Sequence, residues 1–148
     1  MKITGFENVL TMYDLKISIA MNRHSVCSFS AIINENEILK FVDMAKNERK
    51  VEVVTEANLI LMKGIVHSVK VKKSYIKTII FVSIISNSIK AEKNVNKRVY
   101  QDTTKKVKDI ISKYDYNISF QRGERLDEVI ENIIVQDSEN DFSFLKNI

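Results

Sequence analysis

The chain has no proline, no tryptophan, three glycines and a single cysteine in 148 residues. One cysteine, Cys27, allows no disulfide within the chain, so no secreted disulfide scaffold is implied. Three glycines and no proline leave little material for a loop that cradles phosphate, and no GxGxxG, Walker-type loop, HExxH or paired CxxC occurs. Long apolar runs are missing as well. The longest, IIFVSII from Ile79 to Ile85, lies between Lys77 and Lys90 and falls far short of the roughly 20 residues a helix needs to span a bilayer. It reads as a buried strand. No N-terminal signal pattern is seen, which together with the lone cysteine sets the expectation of a reducing, cytoplasmic setting.

What is present is 45% hydrophobic residues, enough for one ordinary core or one small core plus part of another. The net charge of +4 invites a nucleic-acid reading until the charges are placed along the chain. Residues 40 to 110 carry 16 Lys/Arg against 7 Asp/Glu, whereas residues 111 to 148 carry 4 against 8. Such asymmetry steers association between copies, or with a partner, as readily as it attracts phosphate. A basic β-barrel module for nucleic acid is the alternative reading. The lysines, however, are spread over several segments and no aromatic ladder accompanies them.

Hydrophobic periodicity changes along the chain. From Leu10 to Asn22, Tyr13, Leu15, Ile17, Ile19 and Met21 fall on one face, which predicts a half-buried strand. A polar turn at Asn22 to Ser25 precedes Cys27, Phe29, Ala31 and Ile33, alternating with Ser28 and Ser30, and a β-hairpin is the economical reading. Ile38, Phe41, Val42 and Ala45 then follow helical spacing, with Asn34 and Glu37 as a capping pair. Strands are expected again at Lys50 to Thr55 and, after a turn at Glu56 to Asn58, at Leu59 to Lys72. Gly64 is expected to mark a bulge or a positive φ in that long strand. Tyr75 to Ile85 is apolar on both parities and calls for cover on both faces, one of them from the short helix, the C-terminal segment or another chain.

The polar stretch Ser86 to Arg98 reads as a boundary. Beyond it, Asp102 or Thr103 can cap a helix whose stripe is Val107, Ile110, Ile111 and Tyr114. Leu126, Val129, Ile130 and Ile133 also have helical spacing, and compete with a strand at Ile133 to Gln136. Ser138 and Asp141 form a capping box that opens a last helix, with Phe142, Leu145 and Ile148 in one row and Phe144 beside them.

Catalytic chemistry is hard to assemble. His67 falls on the apolar parity of its strand with Ile65 and Val69 and reads as a partly buried, hydrogen-bonded side chain, because no second His or Cys has ligand spacing to it. His24 sits in a turn. Cys27 reads as a small strand residue without an activating neighbour beyond His24. Asp137, Glu139 and Asp141 are the densest acidic group, and their place at a helix N-terminus suits capping and the macrodipole better than a metal. The expectation is therefore no enzyme, no catalytic or metal-binding residue and no cofactor.

The ending IIVQDSENDFSFLKNI, Ile133 to Ile148, resembles the signature of the VgrG and contractile-tail hub family, which includes phage baseplate hubs and late-control D proteins. Gln136, Glu139, Asp141, Phe142, Phe144 and Leu145 stand where that family has a strand ending in Gln, an acidic residue, E-x-D and an aromatic-rich helix. Upstream, RVYQDTTKKVKDIISKY resembles the family's R-x-F-Q and the helix after it, through Arg98, Tyr100, Gln101, Ile110, Ile111 and Tyr114. LMKGIVHSVKVKKSY, with Gly64 and Val66, resembles a G-x-V strand of the family's first barrel. The three matches arrive in the family's order.

This resemblance implies an α+β fold: an antiparallel β-barrel with a short helix over residues 1–97, then the start of a helix-strand-helix module over 98–148, with more protein expected to follow. It also implies a structural role as a homotrimeric adaptor between a hexameric tail tube and a spike, in a phage tail, bacteriocin or type VI secretion-like machine. The partners would be the chain itself, the tube protein and the spike protein, with no nucleic acid and no membrane.

Overall fold

A computed structural model of the chain describes residues 1–20, 22–114, 116 and 124–148. Two compact units result, Met1–Ser86 and Asn87–Ile148, so the division falls within the polar stretch that begins at Ser86.

The first unit is an antiparallel sheet of six strands curled into a half-barrel. Its strands are β1 (Lys2–Ile3), β2 (Thr11–Ser18), β3 (Val26–Ile33), β4 (Lys50–Val54), β5 (Ile60–Lys73) and β6 (Thr78–Ser86), in the order β1-β4-β5-β6-β3-β2. Helix α1 (Ile38–Lys46) follows β3 after a short 3₁₀ turn at Glu35–Glu37. Alternation places Cys27, Phe29, Ala31 and Ile33 of β3 and Ile80, Val82 and Ile84 of β6 in one core with Phe41 of α1. Phe6 joins this cluster, stacked on Phe41 at 5.3 Å and edge-on to Phe29 at 5.0 Å. Removal of so much aromatic and β-branched surface from water is the main driving force for this unit.

Several local expectations change in the structure. β2 stops at Ser18, leaving Ile19 exposed, and Met21 lies outside the described residues. Asp14 has a φ of +54°, and Asp14 and Leu15 together stand opposite Phe29, because Tyr13 pairs with Ser30 and Lys16 with Ser28. The bulge shifts the phase of the strand. Met12 therefore packs on the core together with Leu15 and Ile17, where unbroken alternation predicted Tyr13. In α1 the stripe runs through Ile38, Phe41, Met44 and Ala45, while Val42 stays exposed. Asn34 makes no side-chain cap. Its carbonyl accepts from the Glu37 amide at 3.0 Å, closing the 3₁₀ turn instead.

Gly64 has neither a positive φ nor a bulge, since it pairs in register with Val51 on one side and Ser86 on the other. The two register shifts of β5 lie at Leu61 and His67. His67 is exposed there, not partly buried. Glycine is required at 64 for a different reason: a Cβ would meet the backbone oxygen of Ile85 at 2.3 Å. The close approach of two backbones is what the missing side chain permits.

In the second unit, residues 87–89 form a 3₁₀ turn leading into α2 (Lys90–Lys93). β7 (Val95–Tyr100) pairs antiparallel with β8 (Ile134–Asn140), and between them lie α3 (Val107–Ile111) and a 3₁₀ turn at Glu124–Asp127. α4 (Asp141–Asn147) closes the chain. β7 was not legible as a strand, for NVNKRVY has charged and polar residues on both parities. α3 begins later than expected. Asp102 accepts from the Thr104 amide and hydroxyl in a turn of its own, and the first helical turn is instead tied by the Lys106 amide donating to Asp109 at 2.8 Å. The strand wins over the helix near Ile133, and Val129 and Ile133 are exposed.

Gly64→Ala should destabilise the protein by about 1–3 kcal/mol, the usual cost of overpacking. Lys46→Ala, on the exposed side of α1, should stay within about 0.5 kcal/mol of the parent. Urea melts of the two variants check this, and equal midpoints would refute the close-approach argument.

Candidate functional site

The described residues offer little for catalysis. None of the helices is long and apolar enough to cross a membrane, and no three or more His, Cys, Asp or Glu side chains are grouped to hold a metal ion. Cys27 is fully buried in the first core, and burial pushes its thiol up to about 11, so the nucleophilic thiolate is suppressed. A cleft of about 260 Å³ lies between β8 and α4, lined by Ile134, Val135, Glu139, Phe144, Asn147 and Ile148. Glu139 is its one titratable side chain, which supplies no acid–base pair.

The chemistry that is built with care is a buried polar network in the second unit. Gln136 of β8 and Asp141 at the first position of α4 are almost wholly buried. The amide nitrogen of Gln136 donates to Asp141 Oδ1 at 2.8 Å and to the Glu139 carbonyl at 3.1 Å, while its Oε1 accepts from the Tyr114 hydroxyl at 2.9 Å. Both amide hydrogens and the carbonyl are thus used. Since the Tyr114 proton points to Gln136, the Tyr100 hydroxyl must donate to Tyr114 across their 2.8 Å contact. Asn96 Nδ2 donates to Asp141 Oδ1 at 2.9 Å, the Tyr116 hydroxyl donates to Oδ2, and Arg98 Nη1 approaches at 3.5 Å. Asn94 completes the shell, donating to the Tyr116 oxygen at 2.6 Å while its carbonyl receives the Asp141 amide at 3.0 Å.

Electrostatics follow from this geometry. Burial by itself would raise the Asp141 carboxyl, but the donors Tyr116, Gln136 and Asn96 and the nearby Arg98 guanidinium outweigh it and hold the group below the ordinary carboxylate range. Burial and the bond to Asp141 push the Tyr116 hydroxyl upward. Burial and Tyr100 do the same to Tyr114. Arg98 also lies over the Tyr114 ring, 4.8 Å from its centre, so one cation serves both the carboxylate and an aromatic face.

An apolar cluster adjoins the network: Tyr100, Ile110, Tyr114, Ile130, Phe144 and Leu145, with Ile111 and Ile148 packed against it. Phe144 stacks on Tyr100 at 5.9 Å. The last helix therefore does pack on the Ile110–Tyr114 stripe through Leu145 and Ile148 as expected, but with Phe144 in place of Phe142, which lies outside the cluster. Ser138 is not the cap. It sits inside β8 with a φ of +55°, and Asn140 caps α4 by accepting from the Ser143 amide at 2.8 Å.

Of the residues singled out in the sequence, the structure brings together Arg98, Tyr100, Gln136, Asp141, Phe144 and Leu145. Gln101 is exposed just beyond β7, Glu139 lends the network only its carbonyl, and Gly64 belongs to the first unit. Asn94, Asn96 and Tyr116 were missed. Recognising β7 would have supplied the signal for Asn96, which shares the inward parity with Arg98 and Tyr100.

Two outcomes are expected. Asp141 has a depressed carboxyl, so its contribution to stability is complete above the unfolded carboxylate value and fades as pH falls through the folded one. The parent should lose stability between about pH 5 and pH 2 more steeply than Asp141→Asn. Urea melts across that range check it, and parallel curves would count against the network's charge. Phe144→Ala should cost about 3–5 kcal/mol, and Phe142→Ala clearly less, as thermal melts of the two would reveal.

No family model matches the sequence, and no curated protein does either. Solved structures do match. One is the E. coli c3393 protein, described as a component of the type VI secretion system with structural similarity to the T4 bacteriophage tail proteins gp27 and gp5. The superposition has a TM-score of 0.54 at 13% identity and covers 90% of this chain but 42% of that one. The chain thus spans less than half the length of the protein it matches, and what the two share is the fold.

Proposed function

We propose that the protein is a structural component of the baseplate hub of a contractile injection apparatus, whether a phage tail, a bacteriocin or a type VI-like machine. In this reading Met1–Ser86 serves as the first hub barrel and the remainder begins the following module. The hub is a homotrimer, made and assembled in the cytoplasm, that joins a hexameric tube to a spike. One observation carries the reading: the fold match extends over 90% of the chain to a protein described as a secretion-system component with likeness to phage tail proteins. The ordered motif residues lend support, because Arg98, Tyr100, Gln136, Asp141 and Phe144 form one network and core. Such a constellation has no reacting atom to serve and every sign of fixing a joint between short elements.

The test is location. Contractile particles purified from the organism that encodes the chain should contain it, and gold-labelled antibody should mark the tube–spike end. Particles that lack the protein, or label scattered along the tube, would overturn the proposal.

A further inference from the structure

Thr78, Ile80, Val82 and Ile84 of β6 turn toward the core. Ile79, Phe81, Ser83 and Ile85 turn the other way; Phe81 is 42% exposed, Ile79, Ser83 and Ile85 are half-buried, and Ile65 beside Ile85 is buried, so the open part of this face lies toward the hairpin end. α1 does not cover this outward row, for its Phe41 lies in the core on the opposite face. Register sets Lys72 beside Ile79 and Lys70 beside Phe81. At the end of the hairpin, Ser74 locks the turn: its amide and hydroxyl donate to the Lys77 carbonyl, and its hydroxyl oxygen accepts from the Lys77 amide. Tyr75 and Ile76 stand fully exposed on that fixed turn.

Lys73 pairs with Glu35, but among the described residues Lys70, Lys72 and Lys77 make no ion pair. An apolar strip with an ammonium collar is the anatomy of a protein contact with a desolvated centre and charged rim. A two-fold contact through this face would set lysines near lysines, which disfavours it. The complement must be apolar with carboxylates.

The same chain carries such a surface. On the outer face of the β7–β8 pair, Val99 stands opposite Val135, with Ile133 on one side and the Lys97–Asp137 ion pair and then Val95 on the other, and the four apolar residues are 52–64% exposed. Just ahead of Ile133, Glu128 and Glu131 are exposed and make no ion pair among the described residues. The acidic excess of residues 111 to 148 lies in this part of the chain. We propose that the β5–β6 hairpin face of one copy docks on the outer β7–β8 face of a second copy, with Lys70, Lys72 and Lys77 meeting Glu128 and Glu131. The inference rests on the proposed function only in taking the protein to associate with itself. The contact is head-to-tail, so copies close into a ring if the rotation permits and extend into chains if it does not.

Cross-linking tests it on the full chain. Ile76→Cys and Val99→Cys are prepared separately, Cys27 being buried and silent. When the two are mixed and oxidised, a disulfide-linked pair should accumulate well beyond what either gives alone. Lys70→Glu with Lys72→Glu, added to the first variant, should abolish the excess. Glu128→Lys with Glu131→Lys on the second should then restore it, with melts showing that all variants fold. Cross-linking no greater in the mixture than in each alone, or failure of the charge swap to rescue, overturns the contact. Sedimentation of the parent as a monomer at every concentration does the same, and so does binding of the hairpin to phosphatidylserine vesicles in place of a second copy. If the protein labels particles but these pairs never form, the contact fails and the hub reading stands. If they form and particles lack the protein, the reverse holds.

Discussion

A buried carboxylate is the constraint on which the second unit depends. Leaving Asp141 uncompensated would cost several kcal/mol, so its oxygens must be met by donors from separate places in the chain. Asn96 and Arg98 come from β7, Tyr116 from the segment after α3, and Gln136 from β8. None of these elements is stable alone. α3 has five residues, α4 seven, and the sheet two strands, all below what water tolerates for an isolated helix or hairpin. The network makes their geometry interdependent: a displaced strand or helix leaves a charge without partners. The apolar cluster around Phe144 supplies attraction, and the polar network supplies uniqueness.

The first unit solves the folding problem differently. Its core is almost wholly apolar, and its specificity comes from alternation, from the three-ring cluster of Phe6, Phe29 and Phe41, and from one position where backbones nearly touch. At the Gly64 position the backbone of Ile85 leaves no room for a Cβ. Gly64 yields that space without leaving the regular ladder.

Much of this architecture was legible because period-two alternation is a strong signal where one face is buried. The β3 strand emerged with its facing residues correct, as did the helical spacing of Ile38 and Phe41, whereas β6, apolar on both parities, gave no sign of which row would face the core. What failed was local. Register shifts at Asp14 and His67 arise from how a strand meets its neighbours, and no periodicity within one strand encodes that. Capping was misjudged for a related reason: Ser138 and Asp102 have the right side chains, but tertiary pairing kept one in a strand and the other in an earlier turn. Gln136 and Asp141 could be singled out by resemblance. That their polar atoms would be buried and met by the hydroxyls of Tyr114 and Tyr116 could not be seen until β7 was recognised as a strand.

A sheet that curls without closing has two free borders among the described residues, and each invites another strand to add to it. Here one border is β1, only two residues long, and the other is β2, interrupted by the bulge at Asp14 and Leu15. An incoming strand would find too few amides in line at the first and a broken spacing of donors and acceptors at the second, with the charged Asp14 and Lys16 at the break. The irregularity that shifts the phase of β2 is thus also a guard against runaway edge-to-edge polymerisation, which leaves assembly of this protein to its faces.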